Sequence, residues 1–390
     1  MGAEDRRARL AARHHLASAS RADDVVRVTG DIVGLHATDP ATVMLAARAR
    51  LHEPSAAAIE DALYVERSLV RILGMRRTMF VVPVELAPIV QASCTRALVP
   101  GERRRFVAML EGAGIAADGD RWLRDTEEAT VRALAARGES TAAELSEDVP
   151  ALKEKIAVAQ DKPYAAIQGV SSRVLFLLSA EGRIVRGRPR GSWTSTLYRW
   201  APMESWLPAG VPELDTDIAA AELARRWLAA FGPGTRADLK WWTGWTAGLL
   251  KRALAQIEPV EVSLDGGAVG LVLPGDEQPL EAPEPCAALL PALDPAPMGY
   301  YERDWYLGEH RAPLFDRSGN IGPTVWWDGR IVGGWAQRKQ DGEVVVRLLE
   351  DIGADGVAAV DAQAARLRDW IGDVRVTPRF RTPLERELIT

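Results

Sequence analysis

Three helical stretches followed by a β-hairpin, an order that recurs along this chain, restrict its fold more than any other feature of the sequence. Between Asp23 and Pro83 the helical stretches are DDVVRVTGDIVGLHA, then PATVMLAARAR behind an Asp39 cap, then SAAAIEDALY behind Ser55. The strands SLVRILGM and TMFVVP follow, rich in β-branched and aromatic residues and joined by a tight Gly-Met-Arg-Arg connection. Three helices and a hairpin predict a winged helix, a helix-turn-helix with a β-hairpin wing.

The order returns twice. After a helical stretch from Val84 to Arg137, STAAELSE predicts a short capped helix and DKPYAAIQGVSSRVLFLLSAEG a longer one. RIVRGRPRGSWTSTLYRW then forms a basic wing. DTDIAAAELARRWLAAFGPG and TRADLKWWTGWTAGLLKRALAQI supply the next helices, and PVEVSL and AVGLVLP the next hairpin. The chain therefore divides into a first winged helix with an N-terminal arm (1–83), a second with a helical insertion (84–202), a third (203–275) and a C-terminal β-rich segment (276–390). In that last segment Asp328-Gly329 marks a hairpin turn, GVAAVDAQAARLRDWIG a closing helix and DVRVTPRFRTPLERELIT a short strand and tail. The fold class expected is α+β.

With 390 residues the chain can bury several cores, so stability does not call for staples. Its two cysteines, Cys94 and Cys286, sit far apart in apolar surroundings, which leaves a disulfide framework or a zinc site without support. A charged amino terminus and the lack of a long apolar run point to a soluble protein of a reducing cytoplasm, with no membrane partner. Walker loops, dinucleotide fingerprints and nucleophile elbows are missing from the sequence, so no cofactor and no metal are expected.

The formal charge of −6 argues against a uniformly basic nucleic-acid binder, and the distribution of arginine becomes decisive. Three clusters lie at or beside predicted hairpins: Arg71, Arg76 and Arg77; Arg103 to Arg105; and Arg183, Arg186, Arg188 and Arg190. Arginine forks suit phosphate, so the first and third clusters are the candidate DNA contacts. Of thirteen tryptophans, Trp241 and Trp245 are four apart and are expected to share a buried helix face. Trp326 and Trp327 are expected to point to opposite faces of a strand. Of the five histidines, His14, His15, His52 and His310 read as structural.

His36 is different. It stands between apolar residues, directly before the Asp39-Pro40 helix start. The strings GLHATDPATVML, RGRPRGSWTSTLYRWAPMESWLP, DLKWWTGWT, LFDRSGNIGPTVWWDGRIVGGWAQR and RFRTPLERE resemble the AlkZ-like winged-helix DNA glycosylases over nearly the whole chain. The resemblance implies tandem winged helices around a channel for duplex DNA, a monomer, and monofunctional excision of alkylated bases in repair or genotoxin resistance. It also implies a Gln-x-Gln or Gln-x-Asp motif directly before Asp-Pro; here His36 and Thr38 take those two positions.

Excising a cationic N-alkylated base needs a water aimed at the anomeric carbon and stabilisation of an oxocarbenium-like centre; it does not need a strong acid, because the leaving group is already charged. A neutral His36 with a pKa near 6.5 would position that water and accept its proton, giving excision an acid limb. Thr38 would add one hydroxyl, while Asp39 is committed to capping. The competing readings are a core histidine bonded to a backbone carbonyl beneath the hairpin, and a catalytically silent DNA-binding regulator or scaffold.

Overall fold

A computed structural model describes residues 1–158 and 166–390. The architecture is mixed helix and sheet. After an N-terminal helix α1 (Ala3–Arg13) come α2 (Val25–Asp31), a two-residue strand β1 (Leu35–His36), α3 (Pro40–Arg48), α4 (Ala56–Tyr64), β2 (Leu69–Leu73) and β3 (Met79–Pro83). Asp24, Asp39 and Ser55 cap the three helices after α1 through their side chains. The expected first helix is shorter than the sequence suggests. It stops at Asp31 because Val33 and Gly34 take left-handed backbone conformations, and the chain re-emerges as β1, which pairs with β3 in a three-stranded sheet.

All nine residues of α3 are buried. Val43, Met44, Ala46 and Ala47 fill the core of residues 22–81, whereas Ala41 and Leu45 face a second core built on the C-terminal sheet. A helix buried all round explains why its sequence is apolar without a stripe. Two interactions pin it further. Thr42 donates to the Ala292 carbonyl at 2.8 Å, and just beyond the helix Arg50 forks onto Asp294 at 2.7 and 2.8 Å with both side chains fully enclosed.

The helical stretch after β3 is broken into α5 (Ala87–Val90), a π-helical turn at Gln91–Thr95, α6 (Val99–Gly112) and α7 (Gly119–Arg137). Next come α8 (Ala142–Asp148), closed by a Thr141/Glu144 capping box, a ribbon of β4 (Lys155–Val158) and β5 (Ala166–Gly169), α9 (Val170–Ala180) and the hairpin β6 (Ile184–Pro189) with β7 (Tyr198–Pro202). The helix expected from Asp161 begins only at Val170: Ala166–Gly169 pairs with Lys155–Val158, and 161–165 lie outside the described residues. A core drawn wholly from residues 106–200 holds this part together.

Helix α10 (Thr216–Phe231) buries nine residues at the centre of the largest core. It is followed by α11 (Arg236–Thr243), α12 (Ala247–Ile257) and the hairpin β8 (Val260–Ser263) with β9 (Val269–Val272). Gly244, left-handed at φ 76°, ends α11, so Trp241 and Trp245 do not share one helix face. Trp242 and Trp245 are buried, and the Trp245 indole donates to the Ser93 carbonyl; Trp241 stays half-exposed.

The C-terminal segment opens with β10 (Ala287–Leu290) and two one-turn helices, α13 (Asp304–Leu307) and α14 (Arg311–Leu314). Strands β11 (Thr324–Trp327), β12 (Arg330–Gln337) and β13 (Val344–Leu348) complete an antiparallel sheet in the order β10-β11-β12-β13. Asp328 and Gly329, both at positive φ, make the predicted turn between β11 and β12, and of the tryptophan pair only Trp326 is fully buried. Helix α15 (Gly353–Ile371) covers the sheet; the final strand expected after it is irregular chain, and the tail instead forms α16 (Pro383–Leu388), started by the Thr382 cap.

Candidate functional site

The segment from His36 to Asp39 is held rigidly from three sides. The Ala37 amide donates to Met79 of β3, and its carbonyl accepts Nη1 of Arg71 at 2.9 Å. Both carboxylate oxygens of Asp39 are used, one by the Ala41 amide and the other by the Arg379 amide at 2.9 Å. Asp39 is therefore a cap, as expected, and it does not line the cavity that His36 reaches. The Thr38 hydroxyl is buried without a partner among the described residues.

His36 is 4% exposed, and its Nδ1 has no hydrogen-bond partner among the described residues. That is inconsistent with a core histidine anchored to a carbonyl through Nδ1. The ring packs edge-on against Phe80 at 5.2 Å and lines a cavity of about 770 Å³. Burial first, and the Arg76 cation second, push the His36 pKa down to about 3. The ordinary value of 6.5 expected from the sequence does not hold, because a cation and an apolar wall both oppose charging the ring. Thr38 does not line this cavity. The two motif positions thus face different surroundings.

Arg76 reaches the same cavity. It and Arg77 occupy the β2–β3 connection at φ 52° and 60°, a left-handed pair where glycine or asparagine would be relaxed. The Arg76 guanidinium lies 3.8 Å from the centre of the Trp241 ring, and burial together with Arg303 pushes its pKa down to about 10. Arg303 lies over that ring as well, at 4.7 Å, and Arg6 from α1 lies 4.1 Å from the Trp305 ring centre. Arg6 and Arg303 escaped the sequence reading. Neither sits in a cluster at a hairpin, and only the packing of α1 and α13 around α11 brings them to His36.

The other candidate arginines are mostly engaged by the protein. Arg71 is buried, braces Ala37 and lies over Tyr198. Arg77 pairs with Glu102, and Arg183 with Glu128. Arg188 meets Glu60 at 3.5 Å and packs over Tyr64, while Arg186 is wedged over Tyr198 and Trp200. Of the basic residues at this hairpin, Arg188 thus docks onto α4, Arg186 onto the rings of β7 and Arg183 onto α7, so they are not all presented to solvent. Arg190, at its outer end, is exposed and without an ion pair among the described residues. His15 bonds Asp31, His310 bonds Glu350, and His14 is enclosed against Phe231, so none of these three joins the cavity.

With this geometry in hand, the chain can be set beside known proteins. The family model for AlkZ-like DNA glycosylases matches residues 29–370. The chain belongs to the AlkZ-like DNA glycosylase family. An interstrand DNA cross-link repair glycosylase from Streptomyces sahachiroi is 29% identical over 175 residues, 43% of this chain and 46% of that relative. The matched stretch therefore spans about half the length of the curated relative. The structure of the Streptomyces sahachiroi DNA glycosylase AlkZ superposes with a TM-score of 0.74 at 21% identity, covering 97% of this chain and 99% of that one. That likeness is one of fold. Among the described residues no helix is long and apolar enough to cross a membrane, and no three His, Cys, Asp or Glu side chains are grouped to hold a metal ion.

Proposed function

We propose that this AlkZ-like protein is a monofunctional DNA glycosylase that hydrolyses the N-glycosidic bond of an alkylated purine in duplex DNA, with His36 holding the attacking water. The observation that carries the reading is a neutral imidazole at the wall of a large arginine-lined cavity, with a buried nitrogen that has no hydrogen-bond partner among the described residues. An unsatisfied buried nitrogen is costly, and a water or substrate atom relieves the cost. The three helix-hairpin units of residues 1–275 are read as winged helices that bind DNA as a monomer, with Arg190 and the cavity arginines as the cationic contacts.

The chemistry suits a weak base. As the C1′–N bond breaks, its electron pair neutralises the alkylpurinium, while a water oxygen bonds to C1′. The oxygen is strongly acidic once bonded to that carbon, so an imidazole of low basicity is sufficient to take its proton and pass it to solvent. Before that moment His36 acts as a hydrogen-bonding guide, the role an amide side chain performs in the Gln-x-Gln motif. Thr38 is assigned a minor part, since its hydroxyl lies outside the cavity lining.

The test is release of N7- or N3-alkylpurine from an oligonucleotide duplex, scored by alkaline cleavage at abasic sites. Wild type should release base; His36→Ala should lose about a hundredfold or more, as for loss of a positioned proton acceptor. Equal binding by both proteins with no release by either would instead make the protein a silent DNA binder.

A further inference from the structure

We propose that Arg6, Arg76 and Arg303 form a phosphodiester-binding subsite inside the His36 cavity, which seats a backbone phosphate beside the nucleotide being attacked. The proposal rests on the glycosylase reading for its substrate, but on independent features of the structure for its site. All three guanidiniums line one cavity. Arg6 is 9% exposed and Arg303 5%, and neither they nor Arg76 forms an ion pair among the described residues. Arg6 leaves Nε and Nη2 buried without acceptors, Arg76 its Nε, and Arg303 its Nη2.

Buried cations without a paired carboxylate are rare because their desolvation is costly; Arg303 feels the buried Asp238 without pairing with it. Here aromatic faces supply part of the compensation: Trp241 lies under Arg76 and Arg303, and Trp305 under Arg6. Contact with a ring takes up no N–H donor, and a fork of guanidinium donors matches phosphate oxygens. Arg303 is also fixed by its Nε, which donates to the Tyr300 carbonyl at 2.9 Å. The site is therefore largely preformed. Asp265, Glu302 and Asp304 line the same cavity, but all three are exposed and pair with none of these arginines, so the interior is cationic and the mixed charge belongs to the mouth.

A phosphate held here has a chemical consequence. Positive charge around His36 keeps the ring neutral but opposes the oxocarbenium-like sugar, and a phosphate seated among the arginines offsets that opposition. Binding and electrostatic help then come from one contact.

The experiment measures binding to an unreactive duplex carrying a tetrahydrofuran abasic site, with one phosphate at a time replaced by a neutral methylphosphonate on either side of it. In wild type, one or two adjacent replacements should weaken binding about tenfold, the scale of a charge-assisted hydrogen bond. In Arg303→Gln and Arg6→Gln the same replacements should cost less than about twofold, because the partner is already gone. The DNA-side change cannot misfold the protein, and circular dichroism of each variant separates lost folding from lost contact. Additive effects at every position would overturn the proposal, even if inorganic phosphate raised the melting midpoint, since that would show a site for free phosphate alone. The readout needs no turnover: coupling without base release would refute the glycosylase reading only, and release without coupling would refute the subsite only.

Discussion

At His36 the decisive quantity is the free energy of placing a charge on the ring. Burial and Arg76 both oppose it, and the pKa near 3 leaves the imidazole neutral throughout the range in which the enzyme would work. Excision measured in single turnover should therefore be flat from about pH 5 to 8, without the acid limb that an ordinary histidine would produce. His36→Gln, which keeps a neutral hydrogen-bonding group there, should retain activity within about tenfold while His36→Ala does not. A rate that falls through pH 6.5 in wild type would refute the depressed pKa. The same shift appears in stability. A folded-state pKa below the unfolded value means the unfolded chain takes up the extra proton, so stability is complete above about 6.5 and is lost as pH falls toward 3. His36→Gln should lose about 2 kcal/mol less than wild type between pH 7 and 5, read from urea midpoints. Identical losses would show that His36 is not desolvated. His14, depressed by burial and then by Arg50, pulls in the same direction in both proteins and cancels from the comparison.

At the scale of elements, α3 matters most, because it carries the motif at its start and Arg50 just past its end. The Arg50–Asp294 pair is fully enclosed, and Asp294 also accepts the Ala296 amide. Removing one partner strands the other charge, so Asp294→Ala should cost about 3–5 kcal/mol in urea denaturation, whereas Arg50→Met with Asp294→Leu should cost much less. Equal costs for single and double variants would deny the pairing its role. The β6–β7 hairpin gives a second case. Arg183 and Arg188 are tied to Glu128 and Glu60, whereas Arg190 at the outer end is exposed and in no ion pair among the described residues. Arg190→Gln should reduce the slope of log affinity against log salt by about 0.9, the share of one phosphate contact, and Arg183→Gln should change it much less. An unchanged slope for Arg190→Gln would remove the hairpin tip from the DNA surface.

Across the whole molecule, the largest core runs from Leu10 to Leu388 and draws on the N-terminal arm, α10, α12 and the C-terminal sheet together. The core of residues 106–200, by contrast, is local. Deleting 276–390 removes Leu290, Trp326 and Leu388 from the shared core and exposes the Ala41 and Leu45 face of α3. A fragment of residues 1–275 should therefore lack a cooperative transition and near-ultraviolet circular dichroism, whereas the full chain shows both. A cooperative fragment would mean that the C-terminal segment is an appendage.

Much of this was legible in one dimension. Asp39-Pro40 and Ser55 marked helix starts because a cap acts on amides two or three residues away, and Asp328-Gly329 marked a turn for an equally local reason. The family resemblance rested on strings spread along the chain, and those strings pointed to His36. Tertiary structure alone decided the rest. Whether an arginine reaches solvent depends on which carboxylate or ring another segment brings to it, which is why Arg71 proved to be buried, Arg186 wedged over two rings and Arg188 tied to Glu60. Trp241 and Trp245 parted because Gly244 ended the helix between them, and Trp241 packs at the rim of the core with two cations over its ring. The pKa of His36 followed no local rule, since desolvation and the field of Arg76 are properties of an enclosure. That enclosure is assembled from α1, the β2–β3 connection, α11 and the loops around α13, segments nearly 300 residues apart in the chain.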